Sequence, residues 1–567
     1  MDGRLVKTLS VLLTVFISAC AAGPTPSNSG RSDSDSSAAS RGPKTLTVAL
    51  QREPSTFEGF NGQGGSGGGA GDLREMVHNH LTTSDPLDNQ HAQLAAELPA
   101  VDKGTWQVFA DGTMEMSWKL RPGVKWHDGT PFTSADLAFS LQLHKDPALA
   151  HAYARQSRVM ESATMPDPLT FVVRWSQIDV RALEARALTP MPKHLLEELY
   201  QGDKDAFVNS PLFTTEFVGL GPYRLVNWDR GSQLEMVRYD DYFQGRPPFD
   251  RVIARIIPDP SAMIANILSE SVDVVLPPSV EIDAALDLKR RWEGTGNVVR
   301  AEPIPRFVYL ELQFRPETAR PTNGLTSLAV RQALLHAIDR EEIASVMTGG
   351  MGPVADSWIR PDDPMRRDIE SVIPKFPYDR NRAAQLFAQA GWSPGPGGIL
   401  VHSQTGERFE MELWNNPQTS DKTAAVLMDS WRAVGVDPKL YIIPPARSED
   451  REHTTQHPGP LLTGTFLDQF LDRYDGRDIS AASNRWSGRN RAAYLNPQAD
   501  ALLQRLQTVV DPRERLPLIR EHVQIMMTEL AYMPLYWEPR AILQLKSVRG
   551  DIHPYNSGWN AFTWDKQ

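Results

Sequence analysis

Across residues 44–567, strand-like segments alternate with amphipathic helical segments, and this alternation restricts the chain more than any other feature. Apolar residues recur with period two at Val308, Leu310 and Leu312, against Tyr309 and Glu311, as a strand with one buried face requires. Further strands are predicted over 45–50, 170–175, 223–228, 234–237, 252–257, 410–414 and 439–443. A helix is predicted over 329–347, where Val330, Ala333, Leu334, Ala337 and Ile338 fall on one face. Another covers 516–530, through Leu516, Ile519, Val523, Met526 and Leu530. Strands interleaved with helices predict mixed α/β layers. The 567 residues suggest about three or four domain-sized units. A hydrophobic fraction of 41% supplies a large core and excludes whole-chain disorder. The formal charge of −11 and the absence of long Lys/Arg runs argue against nucleic acid as a partner.

The one cysteine, Cys20, excludes any disulfide within the chain and any CxxC site. Before it, Arg4 and Lys7 give a positive start, residues 9–17 form a short apolar stretch, and Ser18 and Ala19 are small. These are the three parts of a secretory signal, too short to span a membrane. Ile17-Ser18-Ala19-Cys20 resembles the bacterial lipobox, which implies lipidation of Cys20 and a mature charge of −12, because residues 1–19 carry a net +1. Residues 21–43 contain no large apolar side chain and are expected to form a disordered tether with a reach of about 26 Å.

Residues 118–143 have clear local logic. Trp118-Lys119-Leu120 reads as a strand, Val124-Lys125-Trp126 as a second, and Asp128-Gly129 as a tight turn. Thr133 with Asp136 gives a capping-box pattern ahead of an apolar helix face at Ala135, Leu137, Ala138 and Leu141. This segment resembles the signature of bacterial solute-binding protein family 5. Four more stretches match in order. They are Gly219–Tyr223 with Tyr239-Asp240-Asp241-Tyr242-Phe243 and Asp250; Val330–Ala333 running to Asp339-Arg340; Tyr378-Asp379 with Ala390-Gly391-Trp392; and Tyr494, Asn496-Pro497 and Asp500.

The resemblance implies an α/β, two-lobed periplasmic-binding-protein-like fold (type II, cluster C) with an extra domain inserted in the first lobe. Mapped here, the first lobe takes 44–85, 212–305 and 535–567, the insertion 86–211, and the second lobe 306–534. The crossings between lobes fall near 305–307 and 533–536. It also implies a lipid-anchored, extracytoplasmic, monomeric binding subunit of an ABC importer. That subunit closes on a peptide or other small polar solute, hands it to permease subunits, and uses no catalytic group, cofactor or metal. Ligand contacts are expected among Arg306, Tyr309, Trp414, Asn415, Asn416, Phe466, Asp468, Trp486, Tyr536 and Trp537, which border the cleft by resemblance. Peptide binders of the family carry an Asp-Tyr-Pro-Asp-like segment; here 463–470 reads TGTFLDQF, and only Asp468 falls near that aspartate. An oligosaccharide, an opine-like compound or a metal chelate stays open beside a peptide.

Other classes were weighed on the same residues. Residues 62–71, GQGGSGGGAG, satisfy G-x-G-x-x-G and G-x-S-x-G, but by composition and without the strand that either motif requires directly before it. The run reads as a loop at the cleft mouth. A secreted hydrolase lacks a credible nucleophile–base pair, while a sensor or adhesin on the same fold would touch no permease. His78 and His80 form an H-x-H pair, but residues 73–81 read as helical. The pair is therefore expected to point two ways as solvated or capping side chains.

Overall fold

The computed structural model describes residues 42–58, 70–149, 154–416, 419–448 and 450–567. Cys20, the signal segment, most of the tether and residues 59–69 of the glycine run with its approach lie outside the described residues.

Two long strands organise the body. Val298–Glu311 and Tyr532–Gln544 pair antiparallel along their whole length. Their ladder is regular from Val298↔Gln544 to Pro303↔Pro539, then loses register and resumes at Phe307↔Trp537. Proline has no N–H to give to a ladder, and Pro303, Pro305 and Pro539 lie at this first irregularity; a second follows between Val308 and Tyr309, opposite Pro534. On one side of it lie Val274–Val275, Thr45–Leu50, Arg251–Ile256, Gln233–Arg238 and Tyr223–Asp229. On the other side lie Leu461–Phe466, Glu410–Asn415 and Asp437–Ile442. The ten strands thus make one sheet in two halves, joined by two strands: a two-lobed fold.

The cores divide at the same point. One core runs from Phe307 to Trp537 and holds Phe470, Tyr532 and Trp431. On the other side, Leu46, Val252, Ile542 and Trp564 pack one face of the sheet, and Ala49, Met263, Leu288 and Leu543 the opposite face. Parallel neighbours require crossovers, which the helices Pro260–Leu268 and Asp421–Arg432 supply. A separate four-stranded sheet, ordered Trp106–Val108, Met114–Lys119, Thr170–Trp175, Met160–Asp167, carries its own core around the fully buried Trp118, Trp126 and Trp175.

The family motifs turn out to be joints of this frame. Asp136 reaches back to the Thr133 N–H at 2.9 Å and starts the helix Ser134–Lys145. Asp379 and Asn496 cap the helices Arg380–Gln389 and Pro497–Leu506. At Gly219 and Gly221 the chain passes so close to the end of the helix Ala70–Val77 that an added Cβ would sit 2.0 and 2.4 Å from Val77 backbone atoms.

Three expectations change. The helix over 329–347 is two helices, Leu328–His336 and Arg340–Thr348, because the Asp339 carboxylate accepts from the Glu342 N–H at 2.9 Å and begins a new one. Residues 124–126 form no strand, only a single bridge from Lys125 to Pro131. The helix of residues 73–81 is Ala70–Val77, which leaves His78 and His80 beyond its end.

Candidate functional site

The seam between the lobes is where both halves of the sheet meet, and it is charged. Arg306 is 9% exposed and forms an ion pair with Glu538 across the ladder irregularity. Arg540, two residues along the same strand, lies 3.8 Å from the other Glu538 oxygen. Strand alternation puts Glu538 and Arg540 on the same face, and Pro539 between them leaves room in the ladder. Burial and the nearby Arg540 charge pull Arg306 down to about 10. Burial also lowers Arg540, against the opposing charge of Asp72. Asp72, in the first turn of the helix Ala70–Val77, is pushed up to about 6 by burial, although the Ser557 N–H donates to it at 2.5 Å. Two guanidiniums and two carboxylates therefore share one poorly hydrated seam.

Aromatic rings close it from both sides. The Arg540 guanidinium lies 5.7 Å over the Phe466 ring, and Phe466 of the second lobe lies 6.4 Å from Tyr555 of the first. Phe466 pairs with Arg306 in register, and Gly464 beside it leaves no side chain where an added Cβ would come 2.6 Å from the Arg306 guanidinium. The arrangement offers fixed charges of both signs plus flat apolar walls, which suits a small solute carrying both charges.

The residues named from sequence fall into three groups. Arg306 and Phe466 come together at the seam, with Tyr536 beside them, its hydroxyl 3.1 Å from Thr423 Oγ1. Tyr309, Asn415 and Trp537 are enclosed. Tyr309 and Trp537 pack against Phe307, and Asn415 bridges Asp421 at 2.6 Å and Thr419 at 2.5 Å. Trp414 donates to Glu412 at 2.8 Å and packs on Tyr441 and His453, away from Arg306 and Phe466 in its own small cluster. Asn416 follows it and donates its N–H to Leu462. Trp486 is half-buried with a left-handed backbone, φ +59°, next to Arg485 at +55°. Asp468 sits on the turn Leu467–Phe470, and its side chain lies outside the described residues. Sequence reasoning missed Asp72, Glu538, Arg540 and Tyr555. Glu538 and Arg540 were visible as charges in an otherwise apolar strand; Asp72 and Tyr555 carried no local signal.

Below the seam, Glu311 is 1% exposed, and Arg491 at 3.3 Å, with His457 and Arg473 behind it, holds its carboxyl at about 2. A second buried cluster corrects the expectation for the histidine pair. Beyond the helix end His78 and His80 sit 5.4 Å apart, ring to ring, and His78 is 1% exposed. They do not point two ways: the His78 ring is held inward by the Pro190 carbonyl at 3.1 Å from Nε2, and the partly exposed His80 ring meets it edge-on. Glu58 joins them.

The model for bacterial extracellular solute-binding proteins, family 5 Middle, matches residues 98–498. The chain belongs to that family. It is 26% identical to the oligopeptide-binding protein AppA of Bacillus subtilis, over 98% of this chain and 97% of that one. It is 24% identical to the heme-binding protein A of Haemophilus influenzae, over 76% of this chain and 77% of that one. The solved structure of Bacillus subtilis AppA in complex with a nonapeptide shares the fold, with a TM-score of 0.68 at 23% identity, covering 93% of this chain and 100% of that one. The protein is the solute-binding component of an ABC importer, and its family is one of binding proteins.

Proposed function

We propose that the protein captures a short unblocked peptide at the interlobe seam and presents it to its permease. The observation that carries this reading is the seam itself: Arg306 and Arg540 against Glu538 and Asp72, between Phe466 and Tyr555. A peptide's terminal carboxylate answers Arg540, and its ammonium answers Asp72 or Glu538. The rings take up side chains with little demand on sequence. A sugar carries neither charge and would draw nothing from the charges of either sign at the seam. A relative named for oligopeptide binding and others named for peptide binding support the choice.

In this reading the first lobe takes 44–85, 212–305 and 535–567, the insertion 86–211 and the second lobe 306–534. Cys20 carries the lipid anchor outside the cytoplasmic membrane, the body acts as a monomer, and no catalytic step is involved. Thermal melting with a pool of unblocked tri- to pentapeptides tests the ligand class. Ligand at 100 times its dissociation constant adds about 2.7 kcal/mol. The melting temperature should rise with the pool, fall back with the same peptides acetylated and amidated, and stay flat for Arg540→Ala. Equal shifts with blocked peptides, or none with either pool, overturn the reading.

A further inference from the structure

We infer that Glu58, His78 and His80 form a divalent-cation site fitted to zinc, which braces the first lobe against the inserted unit. Each of the three side chains offers a ligand atom, and these atoms lie within 4.8 Å of one another. The closest recorded approach is 3.9 Å, from His80 Nε2 to Glu58 Oε1. Tetrahedral zinc bonds of about 2.0–2.1 Å set neighbouring ligand atoms about 3.3–3.5 Å apart, so the cluster needs to tighten by about 1 Å.

The tautomer of His78 is decided by its neighbour. Nε2 lies 3.1 Å from the Pro190 carbonyl, which can only accept, so Nε2 carries the proton and Nδ1 the lone pair. Nδ1 is buried and has no hydrogen-bond partner among the described residues, and Glu58 Oε1 stands likewise. An imidazole that donates one N–H to a carbonyl and keeps the other nitrogen bare is oriented as metal-bound histidines are. Two imidazoles and one carboxylate suit zinc, nickel or copper and not calcium or magnesium. Three protein ligands leave the fourth position to water.

Arg74 is the competitor, with its Nε 3.5 Å from Glu58 Oε1. Glu75 is also buried, with one carboxylate oxygen unpartnered among the described residues, and it feels the charges of both Arg74 and Glu58. It can take over Arg74 when Glu58 turns to a cation. The location gives the site its purpose. Pro190 lies outside the first-lobe segments, and the His78 ring stacks 6.1 Å from Trp126, in the core of the inserted unit. None of the three ligand side chains belongs to the ligand seam, and Glu75 is the member that also feels the Asp72 charge.

The test uses the untagged mature chain, stripped with EDTA and titrated with zinc chloride alone by calorimetry, with metal analysis after dialysis. One equivalent should bind per chain, and the melting temperature should rise. His80→Gln and Glu58→Gln should weaken binding at least tenfold and cancel the melting shift, while Arg540→Ala keeps full zinc affinity. Cobalt(II) in place of zinc should give the visible absorption of a four-coordinate site with nitrogen ligands, a readout on the wild-type chain that holds whether or not a variant folds. Wild-type protein that binds no equivalent, variants that bind zinc as the wild type does, or a cobalt spectrum of the aqueous ion would each overturn the site.

Discussion

At the scale of single residues the molecule places charge and imidazole in buried positions, some with a partner and some without. Glu311 stays ionised because Arg491, Arg473 and His457 surround it. His522 has no such partner: its Nδ1 is buried and unpartnered among the described residues, against Trp358, and burial pulls it to about 4. An unfolded imidazole takes its proton near 6.5. Between those values the unfolded chain binds the extra proton, so stability is full above about pH 6.5 and is lost as pH falls towards 4. His127, pulled to about 4 in the same way, adds to the slope. Urea denaturation of His522→Gln should show a shallower loss between pH 6.5 and 4 than the wild type; an unchanged slope would remove His522 as a cause. Residue identity alone revealed little of the seam. Arg306 was named from the first crossing and Phe466 from the stretch 463–470, both through the family resemblance, whereas Asp72 and Tyr555 reach the seam only through the topology, being nearly five hundred positions apart in the chain.

At the scale of elements the sequence was most readable where period-two burial is strict. The strand Thr170–Trp175 falls where the alternation places it, with Phe171, Val173 and Trp175 buried. It was least readable where two signals conflict. Apolar spacing continues through Ala337 and Ile338, yet Asp339 prefers to cap, and the cap prevailed. Caps also carry the stability of the inserted unit. Asp136 accepts from the Thr133 N–H at 2.9 Å and the Lys193 N–H at 3.2 Å while only 5% exposed. Asp136→Ala leaves two N–H groups short of a partner and should cost about 1–3 kcal/mol, read by chemical denaturation. A cost below about 0.5 kcal/mol would mean that neighbouring groups replace the cap.

At the scale of the whole molecule, two strands carry the connection between lobes, and among the described residues two ion pairs lie between units away from that crossing. Lys422 on the helix Asp421–Arg432 pairs with Asp283 on the helix Ile282–Arg291 at 3.1 Å, and Arg181 lies 3.8 Å from Asp472. The first pair is well exposed, 72% and 64%, so solvent screens it. Such pairs contribute about 0–1 kcal/mol and cannot hold the lobes shut by themselves. Lys422→Glu should therefore weaken peptide affinity by no more than about fivefold in a calorimetric titration. A larger loss would make the surface pair, and not the ligand, the main closing force. In the proposed reading closure draws on the ligand, since a solute held by Arg540 and Asp72 of the first lobe and touching Phe466 of the second favours the state in which both lobes reach it.

The most direct measurement of that claim is native mass spectrometry of the mature chain purified from its own host without denaturation. A peptide-sized mass should accompany the protein, leave on activation in the gas phase, and be missing from Arg540→Ala prepared alongside. Protein that carries a mass of another class, or an Arg540→Ala chain that keeps the same adduct, would contradict capture of a peptide at the seam.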